Sequence, residues 1–162
     1  MTLKFYPDPI FRQKAEEIRE FGQETINLEQ LFIAALKKYQ ALGLGANMLG
    51  ILKRAIIVSD STDDPIFMIN PKITPLTEEK ELGEEASLSI PEITLKIPRY
   101  KLIRIDYQNS SGQNLTIEAS GLLARVIQHE TDYLDGKTIF DHLLPVKRLL
   151  AIEKYRKRLR KN

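Results

Sequence analysis

A chain of 162 residues with 43% hydrophobic side chains can bury one sizeable core, and nothing in its texture suggests a second, so a single domain over residues 1–162 is expected. Zero cysteines exclude disulfides, thiolate nucleophiles and thiolate metal ligands together, which leaves His129 and His142 as the only strong nitrogen ligands. The net charge of +2 hides an asymmetry, because residues 145–162 hold eight Lys/Arg and one Glu while residues 1–144 hold sixteen and twenty-one.

In chain order, Asp8-Pro9 pairs an N-cap residue with a proline suited to the first helical position, which predicts a short turn over residues 9–14. Leu28, Leu31, Phe32, Ala35, Tyr39 and Leu42 recur at helical spacing, and Gly43 follows as a stop, so an amphipathic helix is expected over residues 25–42. From residue 53 to 120 the texture changes to short β-rich runs punctuated by Gly and Pro: 54–59, 66–70, 93–97, 102–107 and 115–118. The last two flank Gln108-Asn109-Ser110-Ser111-Gly112 and predict an antiparallel hairpin.

Ser120 is placed to cap a second helix carrying Leu122, Leu123, Val126, Ile127 and Leu134, with Gly136 as its end. Pro145 opens a third helix with Leu149, Ile152 and Leu159 on one stripe and basic residues elsewhere. The pattern is that of an α+β domain: antiparallel or mixed β-sheets around a central helix, with a basic C-terminal helix over residues 145–162. No segment has the pattern of a signal peptide, and none approaches the roughly 18 apolar residues of a membrane span, so a cytoplasmic protein without a membrane partner is expected.

The central helix carries Gln128-His129-Glu130-Thr131-Asp132-Tyr133-Leu134. A His-Glu-x-x-His helix works because residues four apart share a face: two imidazoles bind one metal while the glutamate takes a proton from metal-bound water. Here only His129 and Glu130 remain, and tyrosine stands where the second histidine belongs.

Three segments, Gly43-Leu44-Gly45-Ala46, Glu85-Ala86-Ser87-Leu88-Ser89-Ile90-Pro91 and Gln128 to Gly136, stand in the order and roughly the spacing of peptide deformylase, which the chain resembles along nearly its whole length. The resemblance implies the deformylase fold and one divalent metal, Fe2+ or else Zn2+ or Ni2+, at the positions matching Ser87, His129 and Tyr133. It also implies a general base at Glu130 and oxyanion donors at the backbone N–H of Leu88 and at a glutamine whose position is Gly50 here. A peptide pocket would correspond to Gly43, Leu44, Gly45, Leu122 and Val126, with Arg125 where an aliphatic residue is usual, and Glu85 with Arg99 would form a bracing ion pair.

Serine and tyrosine are poor ligands unless ionised, so two of three metal positions are weakened. Ser87, Tyr133, Gly50 and Ala86, the last in place of the motif's glycine, depart together. The expectation is a deformylase-like protein without a metal cofactor that has lost removal of formyl groups from N-terminal formylmethionine, and that acts as a peptide- or ribosome-binding module. The alternative is a weak or redirected amide hydrolase using Glu130 and His129 with Ser87. Arg125, one turn before His129, can reach the vacated metal site, pair with Glu130, or sit exposed at the pocket mouth; in the first two cases the pocket would prefer anionic or carbonyl-bearing groups. His142 is not expected to act as a ligand.

The expected partners are a nascent or short peptide and, through Lys147, Arg148, Lys154, Arg156, Lys157, Arg158, Arg160 and Lys161, the ribosome rather than DNA. The same residues also fit a merely solvated face.

Overall fold

The computed structural model describes residues 2–60 and 64–161, so Met1 and Asn162, the two ends of the expected domain and of the basic segment, lie outside the described residues. Asp8 accepts from the Ile10 N–H at 2.9 Å and Pro9 starts a single 3-10 turn, Pro9–Arg12, that buries Ile10 and Phe11. Helix α1, Gln23–Tyr39, buries Phe32, Ala35 and Leu36. Its expected stop at Gly43 is corrected: Gln40 takes the left-handed conformation at φ 50°, and its N–H meets the carbonyls of Leu36 and Lys37. Gly43 instead opens a strand.

Five strands, β1 (Gly43–Gly45), β2 (Ala55–Val58), β3 (Ile66–Pro75), β6 (Leu102–Gln108) and β7 (Asn114–Ser120), form an antiparallel sheet in the order β1-β2-β3-β6-β7. The expected hairpin is there, with Ile105 opposite Ile117. β3 lies between β2 and β6: Ile66 to Ile69 pair with β2, Ile69 also pairs with Gln108 of β6, and past a register shift between Ile69 and Lys72 the strand pairs with β6. Two further strands, β4 (Lys80–Ser87) and β5 (Ile90–Tyr100), form a separate two-stranded ribbon. Neither β1 nor β4 is legible as a strand in the sequence, since β1 has three residues and β4 turns Glu85 and Ser87 inward instead of an apolar row.

Helix α2, Gly121–Leu134, packs against both layers and buries Ala124, Val126, Ile127, His129, Glu130, Tyr133 and Leu134. Ser120 occupies its N-cap position, but its hydroxyl makes no capping bond, which corrects that expectation. Gly136 follows the helix at φ 74°, where a side chain would also lie 3.0 Å from the Arg12 backbone.

Helix α3, Pro145–Leu159, starts at Pro145 as expected. Its expected apolar stripe does not hold, because Leu149 is 69% and Leu159 46% exposed, and the buried anchor is Tyr155, whose hydroxyl donates to the Tyr6 carbonyl at 2.8 Å. Of the eight basic residues in the helix and the two residues after it, Arg148 donates to the carbonyls of Phe140, Asp141 and Leu143, and Arg158 donates to that of Glu92. These two guanidiniums bind the protein itself and leave the other six on the surface. No helix among the described residues is long and apolar enough to cross a membrane.

Candidate functional site

Helical spacing on α2 sets His129 edge to face with Tyr133, ring centroids 5.5 Å apart at 62°, and strand spacing on β4 turns Glu85 and Ser87 to the same inner side. The buried Glu85 carboxylate gathers two guanidiniums and an imidazole. Arg99 donates to both its oxygens at 2.8 and 2.9 Å, Arg125 at 2.7 Å, and His129 Nδ1 at 2.8 Å. Burial pushes Glu85 upward, but the bonds from Arg99 and His129 outweigh it and hold its pKa at about 2. The expected Glu85–Arg99 pair is therefore present, and Glu85 also orients the imidazole, a role the sequence did not reveal.

Ser87 Oγ and Tyr133 OH share a buried hydrogen bond of 2.5 Å, and the Ser89 N–H donates to Ser87 Oγ at 3.2 Å. Burial pushes the Tyr133 phenol well above its ordinary pKa, more than the Ser87 bond lowers it, so the ring stays protonated. Glu130 pairs with neither of them: one oxygen lies 4.0 Å from His129 Nε2 and the other is buried without a hydrogen-bond partner. Burial pushes its carboxyl up to about 7, against the pull of His129. His129 is raised too, since its bond to Glu85 and the nearby Glu130 and Glu85 charges outweigh its burial.

Glu85, Ser87, Arg125, His129 and Glu130 face a cleft of about 530 Å³, walled by Leu42, Met48, Leu88, Leu122 and Val126. Gly43 is obligatory at its edge, because a Cβ there would lie 2.7 Å from Val126 Cγ1 and 2.8 Å from Glu130 Cγ. Of the expected site residues, the cleft brings together Gly43, Ser87, Leu88, Leu122, Arg125, Val126, His129 and Glu130. Leu44 does not join them: it is fully buried in the core. Nor do Gly45 and Tyr133, both buried behind the wall.

Gly50 is also outside the cleft, exposed at the end of the 3-10 turn Ala46–Leu49 with φ 79°, a conformation a glutamine would adopt only with strain. Met48 lines the cleft from that turn instead, a contribution hidden from the sequence because it depends on the turn's direction. Asn47, also unanticipated, ties the turn to α2 by donating to the Tyr133 carbonyl at 2.5 Å.

Arg125 reaches neither the site of the implied metal nor Glu130. Besides Glu85 it donates to the carbonyls of Ile97 at 2.8 Å and Glu81 at 2.7 Å. Its charge is spent on the ribbon, which removes the basis for an anion-selective pocket. His142 lies on the far side of α2, 2.7 Å from Asp132.

Among the described residues no three His, Cys, Asp or Glu side chains are grouped as a metal ion would need. The three positions that the resemblance implies as ligands offer one imidazole and two hydroxyls that bond each other.

The sequence profile of the family described as polypeptide deformylase matches residues 1–149. A peptide deformylase of Thermotoga maritima is 37% identical over 94% of this chain and 92% of its own length. A protein of Rickettsia conorii named peptide deformylase-like is 39% identical over 96% of this chain and 87% of its own. The crystal structure of peptide deformylase from Ehrlichia chaffeensis superposes with a TM-score of 0.88 at 31% identity, over 99% of this chain and 97% of that one.

Proposed function

The chain belongs to the polypeptide deformylase family, and on that premise we propose that it binds a peptide end in the α2 cleft without the family's metal-dependent hydrolysis. The observation that carries this reading is the buried 2.5 Å bond between Ser87 and Tyr133. A catalytic metal needs about three protein ligands. Here two of the three positions satisfy each other, and the one with the more acidic proton is held protonated by burial. To serve as ligands both hydroxyls would have to separate and ionise in a dry site, so the residues present do not fit the metal. The missing oxyanion donor at Gly50 points the same way.

The rival hydrolase lacks its nucleophile–base contact, since Ser87 Oγ bonds Tyr133 and the Ser89 N–H and makes no bond to His129 among the described residues, although Glu85 on Nδ1 would orient the imidazole. What the cleft keeps is an apolar wall suited to a methionine-like side chain and one buried carboxyl with bonding capacity to spare. A short or nascent peptide is the partner of this reading. The six surface cations of residues 147–161 add an RNA-rich surface such as the ribosome as a second partner, tested by co-sedimentation after charge reversal at Lys154, Lys157 and Arg160.

The deciding experiment loads the protein anaerobically with Fe2+ or Ni2+, removes free ion, and measures bound metal, calorimetric binding of formyl-Met-Ala-Ser, and released formate. The expected outcome is peptide binding with far less than one metal ion per chain and no formate. Near-stoichiometric metal that is lost in His129→Ala, with formate release, would overturn the reading. Ser87→Cys combined with Tyr133→His should restore metal binding; Gly50→Gln is best left out, given the φ of 79° there.

A further inference from the structure

A second cleft, of about 560 Å³, opens on the other side of α2, where the five-stranded sheet and the β4–β5 ribbon splay apart. Its lining carries five Lys/Arg side chains, Arg54, Lys72, Lys80, Arg99 and Lys137, and His142, against two carboxylates, Asp132 and Asp135. Both carboxylates are already paired. Asp132 accepts from Arg99 at 2.6 Å and lies 2.7 Å from His142 Nε2, and Asp135 accepts from Arg54 at 2.9 Å.

Three lysines are therefore unopposed. Lys72 and Lys137 make no ion pair among the described residues, and Lys80 lies only over the Tyr100 ring, 4.6 Å from its centroid. Tyr100, Ile73 and the prolines Pro71, Pro75 and Pro98 add an apolar wall, and the prolines have no backbone N–H. On the floor, Thr131 has a buried hydroxyl without a hydrogen-bond partner.

From this arrangement we propose that the second cleft is a binding site for a phosphate monoester of an organic molecule, a site separate from the peptide cleft. The dianionic phosphate group sits among Lys72, Lys80 and Lys137, which act as point charges, and the organic part lies along the proline and tyrosine wall. Two negative charges leave the local surplus of three cations close to balance, whereas a single carboxylate would not. The cleft volume is within the range of small-molecule sites. Nothing in this assignment depends on whether the first cleft binds peptide or metal.

The test is an NMR titration of the full chain with adenosine monophosphate and, separately, adenosine, read at the amides of Tyr100, Gln128, Thr131 and Lys137. Adenosine monophosphate should shift these amides and bind at least about tenfold more tightly than adenosine. Lys72→Glu with Lys137→Glu should weaken it by about tenfold or more while leaving thermal unfolding within the small range of surface substitutions. Raising salt should weaken binding in the same direction. Adenosine binding equal to that of the monophosphate, no shift with either, or binding unchanged in the double variant would overturn the site. Displacement by a short oligoadenylate without a terminal phosphate, whose phosphates are monoanionic diesters, would overturn the monoester assignment, and no displacement would support it.

Discussion

The two faces of α2 have clefts of similar size and opposite charge. The first presents four glutamates, Glu84, Glu85, Glu92 and Glu130, against one arginine, while the second presents five cations against two aspartates. They are joined by one buried ion network, because Arg99 donates to Glu85 on one side and to Asp132 on the other. The difference lies in what is left over. In the first cleft every cation is consumed by Glu85 and a carboxyl, that of Glu130, remains unsatisfied; in the second every carboxylate is consumed and lysines remain. A chain with a net charge of only +2 thus separates its surplus charges by the width of a helix.

The largest expected effect breaks the joint itself. Glu85→Ala leaves Arg99, Arg125 and His129 without their shared buried anion and should destabilise the protein by about 3–5 kcal/mol in urea unfolding. Asp132→Asn, on the more exposed side of the same network, should lose distinctly less, and equal losses would mean that the two clefts are not asymmetric in burial.

The second prediction uses pH to separate them. Glu130 has its folded pKa raised from 4.5 to about 7, so its contribution is fully present below pH 4.5 and is lost as pH rises through 7. His129, raised above 6.5, acts in the same direction over the next interval. Wild-type stability should therefore fall between pH 5 and 8 by on the order of 2 kcal/mol, and Glu130→Gln should flatten that slope. Glu85, held at about 2, acts at the other end: its contribution is present above pH 4.5 and is lost as pH falls toward 2.

The smallest effect concerns the pair at the implied ligand positions. Ser87→Ala and Tyr133→Phe should each destabilise by about 1 kcal/mol, with a coupling of similar size in a double-mutant cycle. Independent effects would show that the hydroxyls do not depend on each other, and would reopen the question of metal binding.

Much of the fold was legible because helices α1, α2 and α3 and the β6–β7 hairpin announce themselves by local periodicity and turn chemistry. β4 was not, since a strand that turns Glu85 and Ser87 inward shows no apolar alternation, and only its partners across space explain it. Likewise, Arg125 looked free to enter the pocket because a helical wheel gives a side chain's direction but not its competitors, here Glu85 and two ribbon carbonyls.

The sequence by itself determined the family pattern, the three helices and the absence of thiolate ligands, because these depend on residue identity and short-range spacing. Only the tertiary structure decided that Ser87 and Tyr133 bond each other, that Gly50 and Leu44 lie outside the cleft, and that the charges divide across α2. Each of these is a contact between segments dozens of residues apart, settled by which buried group finds its partner first satisfied, and that is a property of packing that no local pattern encodes.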